Sequence, residues 1–312
     1  MKLIILTSTL DRHRFFAAQL LDVFPDALVV LEPKDCHPPP PQPRNAEARQ
    51  ARARRYAERD GLNRQYAQAL EAIDREKQAA ERFFFARGAR RFDALYSDRV
   101  AHRLEAGGAG LNSPETRTRL RELEPDLIAV MGTSLLKKRL IQIPSRGILN
   151  LHTGLSPYYR GGMTVLWPMI NGEPRFCGVT LHRLSAGIDS GDILYHGLPN
   201  WQASDNFSTI NCKLIVLGSA LMVRAIGEVA AGESRARAQW CKGRLYNNID
   251  YDGSVAQRYL DYLDSGQLAS FALRVQAGQV QFPDGLQLCR DPSLEQYLPA
   301  KTPASPMGGL DG

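Results

Sequence analysis

Four short apolar runs, at residues 2–6, 27–31, 126–131 and 147–152, are separated by stretches with helical spacing. Apolar runs of roughly four to eight residues read as strands buried in a sheet. Strands that alternate with helices pack as a mostly parallel sheet covered by helices, so the chain is α/β. In open sheets of that kind ligands sit at the carboxyl ends of the strands. Everything else in the sequence has to fit around that sheet.

The intervening segments follow. Asp11 can open a helix that carries Phe15, Phe16, Leu20 and Leu21 inward. Residues 36–43 are proline-rich and read as a stiff linker. From 45 to 85, Tyr56, Leu62, Tyr66, Leu70 and Ile73 recur at helical spacing, with Gly61 as the expected break. Asn112, Ser113 and Pro114 begin another helix. The strand at 126–131 ends at Gly132 and Thr133, before a short helix with Lys137, Lys138 and Arg139. Residues 177–184 and 193–198 read as strands on either side of a loop containing Asp189, and 207–230 as a long apolar helix over the sheet. The division expected is a domain at 1–232 with a helical, basic insertion at about 44–91, a small α+β extension at 233–300 and a disordered tail at 301–312. Within the extension, 254–263 reads as a helix and 271–288 as a hairpin.

Charge is uneven. The chain has 39 Lys and Arg against 33 Asp and Glu, a net +6. Residues 44–91 hold 13 basic and 7 acidic side chains, which accounts for the whole surplus. A binder that is basic over its entire surface, as many nucleic-acid binders are, is not favoured. The insertion is either a solvated helix with one packed stripe or a basic arm that grips an anionic acceptor. No apolar run approaches the roughly 18 residues of a membrane span, and the first strand is too short for a signal peptide. The five cysteines are scattered without a CxxC pair, which suggests neither a zinc site nor a disulfide framework. A cytoplasmic protein is the resulting expectation.

The chemistry gathers around Asn150 and His152. Two residues apart on a strand, they share one face, while Leu149 and Leu151 take the other. A donor for a developing oxyanion beside a titratable base is what acyl transfer requires. Alone, each polar residue is an ordinary strand-end residue, and Asp189 between Gly187 and Gly191 is an ordinary turn former. Together, at the ends of adjacent elements, they form a candidate site. No GxGxxG follows the first strand, the glycines at 107–110 follow no expected strand, and neither a P-loop nor a GxSxG elbow is present.

Asn150-Leu151-His152, the run from Ser156 and Pro157 through Tyr158, Tyr159, Arg160 and Gly161, Asn171-Gly172, Gly178-Val179-Thr180 and the run 187–193 occur in this order. In that combination the stretch 125–194 resembles the folate-dependent formyltransferases, whose members act on glycinamide ribonucleotide, methionyl-tRNA or amino sugars. The resemblance implies a Rossmann-like formyltransferase fold, with the 45–110 region matching only as an insertion. Gly154-Leu155 replaces a more usual Ser-Leu in the loop. By resemblance, Asn150, His152 and Asp189 are catalytic, and the donor is 10-formyltetrahydrofolate with no metal. Its pterin is expected against Met131, Gly132, Thr133, Ser156, Pro157 and Ile188.

The acceptor is expected to be the primary amine of a small molecule, either a nucleotide-linked amino sugar or an amine derived from an amino acid. Arg12, His13, Tyr159 and Arg160 are candidates to hold it. His182 alternates onto the strand at 178–184 and reads as core or as support for the site. Roughly 75 residues follow 232–237, short for a linker plus a tRNA-binding barrel. Membrane and nucleic-acid partners are not expected, and a homo-oligomer is compatible with the sequence. The alternatives are hydrolysis of formyltetrahydrofolate, a methionyl-tRNA formyltransferase-like enzyme, and a folate-binding regulator without catalysis.

Overall fold

The computed structural model describes residues 1–36, 43, 45–105 and 110–289. The sheet strands are β1 (Leu3–Thr7), β2 (Leu28–Leu31), β3 (Val100–Arg103), β4 (Leu127–Met131) and β5 (Ile148–His152), then, after a short β6 (Tyr159–Gly161), β7 (Val179–Arg183) and β8 (Ile193–Gly197). They lie in the order β3-β2-β1-β4-β5-β7-β8. β1 to β5 are mutually parallel, β7 is antiparallel to β5, and β8 is antiparallel to β7. The order reverses between β1 and β4, the switch point where open α/β sheets bind ligands. β3 was not anticipated. Its Val-Ala-His-Arg sequence is partly exposed at the sheet edge, so it lacks an apolar signature, and it does precede the glycines at 107–110. Residues 107–109, the linker residues 37–42 and the tail at 301–312 lie outside the described residues.

Strand alternation splits the core in two. Leu3, Ile5, Leu127, Ala129, Leu149, Leu151, Val179 and Leu181 face one cluster. Ile4, Leu6, Ile128, Val130 and Ile148 face the other. The first face is covered by α1 (Asp11–Leu21), α3 (Ala67–Leu95) and α7 (Phe207–Ala231), which pack on one another. The second is covered by α4 (Pro114–Glu122) and α5 (Lys138–Ile141), through Leu120 and Leu140. Ser113 caps α4 by accepting from the Thr116 amide. α7 is long and apolar enough by composition to cross a membrane, but 61% of its most apolar window is buried inside the structure.

The insertion forms α2 (Ala46–Gln65) and α3, which meet at Tyr66 rather than at Gly61. α2 buries no residue. α3 continues past residue 85, where the helical spacing was expected to end, because Ile73, Ala80, Phe85, Ala89 and Phe92 extend one buried stripe. Phe85 stacks at a tilt on Phe15, 5.1 Å between ring centres. Glu76, half-buried on α3, accepts from the Ser208 amide and hydroxyl and from Tyr259. It therefore ties α3 to the first turn of α7, and burial raises its pKa despite those bonds.

After α7 and the earlier α6 (Leu166–Ile170), the chain adds β9 (Arg244–Tyr246), α8 (Gly253–Asp264) and α9 (Gln267–Gln276). The helix expected at 254–263 is α8. The hairpin expected from 271 is not formed, because Phe271 and Ala272 are buried on α9. β9 pairs in parallel with β6, so the extension is built onto the main body. α2 is docked on it as well: Arg55 pairs with Asp250, and the Asn63 side chain accepts from the Gly253 amide.

Gly218 lets α7 lie close to the sheet. A Cβ there would come within 2.8 Å of Leu151 and 2.9 Å of Val179. Gly218→Val should destabilise the fold by roughly 1–3 kcal/mol, as overpacked cores do. Gly227, on the same helix with nothing within 4 Å of its Cβ position, supplies the control. Gly227→Ala should be neutral or stabilising by up to about 1 kcal/mol. Urea unfolding of both variants checks the pair, and equal effects would contradict the packing described.

Candidate active site

At β5 the second face of the sheet changes character. Ile148 is still under the helices, but Asn150 and His152 on the same face are not apolar. Antiparallel pairing puts His182 opposite Asn150 and Thr180 opposite His152. Directly opposed residues share a face, so one polar patch spans two strands. Loops rather than helices close over it. Thr180 secures the first loop: its hydroxyl donates to Gly154 O at 2.6 Å and accepts from the Ser156 amide at 2.9 Å. That bonding gives the Gly178-Val179-Thr180 motif a structural purpose.

The second loop delivers Asp189. Its backbone is left-handed, with φ 44°, a conformation that Asp tolerates better than most residues but that still carries strain. The carboxylate lies between two imidazoles, with Oδ2 3.5 Å from His152 Nδ1 and Oδ1 3.6 Å from His182 Nε2. Oδ2 also accepts from the Gly161 amide at 2.9 Å. Gly161 has φ 94°, and a Cβ there would stand 2.0 Å from Tyr246 O, so only glycine fits between β9 and the site. The Gln239 side chain donates to Asp189 O at 2.7 Å and Gly191 O at 2.9 Å, bracing the loop from the extension.

Partners assign the imidazole protons. His182 Nδ1 lies 2.9 Å from the Arg183 carbonyl, which only accepts, so that nitrogen carries the proton. His182 Nε2 then accepts from Asn150 Nδ2 at 3.1 Å. That bond orients the Asn150 amide and leaves its second N–H available. His152 Nε2 faces the Tyr159 carbonyl at 3.2 Å and donates to it, which leaves Nδ1 bare beside Asp189. Burial lowers the His152 pKa, opposed by the Asp189 charge, so the ring is neutral at neutral pH. Burial alone would raise the Asp189 pKa, but the positive charge His152 takes up on protonation, the neighbouring His182 and the Gly161 amide outweigh it and hold the carboxyl well below its usual range.

Asn150, His152 and Asp189 thus converge, joined by His182 and Gln239. The β-strand alternation signalled His182, since it shares a face with Thr180. Nothing local marked Gln239, which reaches the loop from 50 residues away in sequence. The residues proposed to hold a donor divide. Gly132, with φ 70°, is exposed, Thr133 and Ile188 are half-buried, and Gly187 is exposed. Exposed glycines present peptide groups themselves. Met131 is 4% exposed and its side chain belongs to the core, and Ser156 and Pro157 are buried.

The residues proposed for an acceptor are differently placed. Arg12 is paired with Glu81 of α3 at 2.5 Å, so it anchors the insertion instead of facing an open dock. His13 is 2% exposed and packs beneath Gly132, where a Cβ would stand 2.3 Å from its Nε2. Tyr159 offers the site its carbonyl. Its ring is buried, stacked on Tyr246, with its hydroxyl donating to Glu173 at 2.6 Å. Arg160 remains beside the site, its guanidinium donating to Ile188 O at 3.5 Å and Gly243 O at 3.4 Å.

The profile of the formyl transferase family matches residues 63–226, more than half of the 312-residue chain. The methionyl-tRNA formyltransferase of Kosmotoga olearia is 33% identical over 130 residues, 41% of this chain and 42% of that protein. That of Thermodesulfovibrio yellowstonii is 36% identical over 115 residues, 36% of this chain and 37% of that one. The aligned segment is thus about two-fifths of the length of these curated relatives. Among solved structures, a Mycobacterium tuberculosis protein to which sugar N-formyl transfer has been ascribed superposes with a TM-score of 0.50 at 15% identity. The superposition covers 80% of this chain and 77% of that one and shows a shared fold.

The low pKa of Asp189 has a consequence for stability. A carboxyl more acidic folded than unfolded, where it titrates near 3.9, stabilises fully above the unfolded value and loses that contribution as pH falls through the folded one. The stability gap between the protein and Asp189→Asn should therefore narrow below about pH 4. Urea unfolding across pH checks this, and a gap that stays constant down to about pH 2 would contradict an ionised, clamped carboxylate.

Proposed function

The chain belongs to the formyl transferase family, and on that premise we propose that it moves a formyl group from 10-formyltetrahydrofolate to the primary amine of a small acceptor. The observation that carries this reading is the convergence of Asn150, His152 and Asp189 at the carboxyl end of β5. The exposed backbone at Gly132 and Gly187, with Thr133 and Ile188 beside it, suits a flat heterocycle with donors and acceptors along its edge. Gly132, Thr133 and Ile188 would hold that end of the donor.

The residues act as follows. The free N–H of Asn150 Nδ2 donates to the formyl oxygen as negative charge builds on it, and His182 keeps the amide turned for that purpose. Removing one such donor usually costs about 2.7–4 kcal/mol of activation free energy. The attacking nitrogen has to lose a proton, and His152 Nδ1 is the bare base that accepts it. The resulting imidazolium lies against Asp189, which lowers the cost of charging a buried ring. The same nitrogen returns the proton to the departing folate nitrogen, so acid and base duties rest on one side chain.

A nucleotide-linked amino sugar or an amine derived from an amino acid is the acceptor class we favour. The described residues after α7 pack onto the catalytic body as β9, α8 and α9, and β9 braces β6 beside Asp189. That arrangement supports a compact site enclosed by its own extension. The methionyl-tRNA formyltransferase relatives motivate a second reading, in which the amine is carried by a tRNA.

Incubation with 10-formyltetrahydrofolate and a panel of amines, read by mass spectrometry, tests the proposal. A formylated small amine is expected. Folate released without any formylated amine would indicate hydrolysis, and formylation of charged tRNA alone would support the second reading. On the productive amine, Asn150→Ala should lower kcat by roughly 10²–10³. The rate should also hold to below about pH 6.5, the ordinary histidine value, because His152 stays neutral there. A midpoint at or above that value would contradict the role given to His152.

A further inference from the structure

One buried carboxylate takes no part in the chemistry above. Glu32 stands immediately after β2 and is 0% exposed. Its backbone amide donates to Thr7 O, at the end of β1, at 2.8 Å, which seats it at the carboxyl end of the sheet. In the strand order β2-β1-β4 its side chain reaches past β1 to the loop that leaves β4. Oε2 accepts from the Ser134 amide at 2.7 Å. Oε1 accepts from the Ser134 hydroxyl at 2.8 Å and from the Leu111 amide at 3.3 Å. Burying a carboxylate is costly unless its oxygens are hydrogen-bonded. A residue needed only to fill this space would be apolar, like Leu31 before it.

Those bonds shape the donor loop. The peptide joining Thr133 to Ser134 is trans, since the cis bond among the described residues joins Ser156 to Pro157. In a planar trans peptide the N–H and the C=O point opposite ways. Glu32 draws the Ser134 N–H into the interior, so the Thr133 carbonyl is turned out of it. Other bonds hold the loop at both ends. The Thr7 hydroxyl donates to Met131 O at 2.8 Å. The Asn112 side chain donates to Leu135 O at 2.8 Å and accepts from the Lys137 amide at 2.7 Å. His13 fills the space beneath Gly132. Between these anchors Gly132 is exposed and Thr133 half-buried.

We propose that Glu32 is a positioning residue for the folate donor: through Ser134 it aims the Thr133 carbonyl at the donor's heterocycle. The inference rests on the donor reading above and adds a residue that acts through its neighbour. A carbonyl fixed in advance accepts an N–H of the heterocycle without the cost of ordering a loop on binding. Loss of the Glu32 carboxylate releases the Ser134 amide and lets that peptide rotate. The effect falls on donor binding and not on proton transfer. Asn150, His152 and His182 stand on β5 and β7, and the Asp189 turn is held by Gly161 and Gln239.

Calorimetric binding of tetrahydrofolate to the full chain tests this without turnover, and donor KM and kcat with the productive amine complete it. Glu32→Leu has similar bulk and no acceptor. It should bind tetrahydrofolate roughly tenfold more weakly, as expected when a buried amide loses its acceptor. Donor KM should rise in step while kcat and the KM of the amine hold, a split that a general loss of structure does not produce. Glu32→Gln should restore most of the affinity, because its amide oxygen can accept from the Ser134 amide. If Glu32→Leu does not fold, Glu32→Asp carries the test. It keeps the charge, draws the oxygens back from Ser134 and should weaken donor binding in the same way. Unchanged tetrahydrofolate affinity in a folded Glu32→Leu or Glu32→Asp protein overturns the proposal. So does a fall in kcat without a rise in donor KM, or a Glu32→Gln protein that binds no better than Glu32→Leu. No binding of tetrahydrofolate by the unaltered protein would remove the donor reading, and this inference with it.

Discussion

One carboxylate organises the functional end of this molecule. Asp189 is held in a left-handed turn between two imidazoles and a backbone amide. Each contact comes from a different part of the chain: His152 from β5, His182 from β7, and Gly161 from the strand that pairs with β9. Gln239 then holds the turn from behind. Removing the charge would leave His152 without the carboxylate that offsets the cost of charging its buried ring. The strain at Asp189 is sustained by the Gly161 and Gln239 hydrogen bonds on its two sides, which is the usual condition for a strained residue to persist.

The sheet explains why such a site forms where it does. Alternation sends Leu149 and Leu151 into the core under α7, and Asn150 and His152 to the other face. Over β1 and β4 that other face is sealed by α4 and α5. Over β5 and β7 no helix among the described residues seals it, and the loops at 154–161 and 185–191 close it instead. The polar side chains are therefore buried among groups that can hydrogen-bond them, which is what keeps buried polar atoms tolerable.

Much of this was legible in the sequence. The apolar runs gave the strands of the parallel sheet because strands buried on both faces have no polar positions to confuse the pattern. Period-two spacing gave the shared face of Asn150 and His152. Edge strand β3 was not legible, since exposure removes the apolar signal. The break at Tyr66 was misplaced because a glycine such as Gly61, with nothing within 4 Å of its Cβ position, is tolerated within a helix. Arg12 and His13 looked available at the end of β1. They are occupied by partners from α3 and the β4 loop, contacts that only tertiary structure creates. Gln239 was invisible for the same reason.

The account depends most directly on Asp189 enabling proton transfer through His152. Single-turnover formyl transfer by the protein and by Asp189→Asn, with donor affinity measured in parallel, isolates that step. The account predicts that the substitution slows the chemical step by roughly 10²–10⁴, the range of general acid–base assistance, while donor affinity changes little. An unchanged single-turnover rate in a folded Asp189→Asn protein would contradict it.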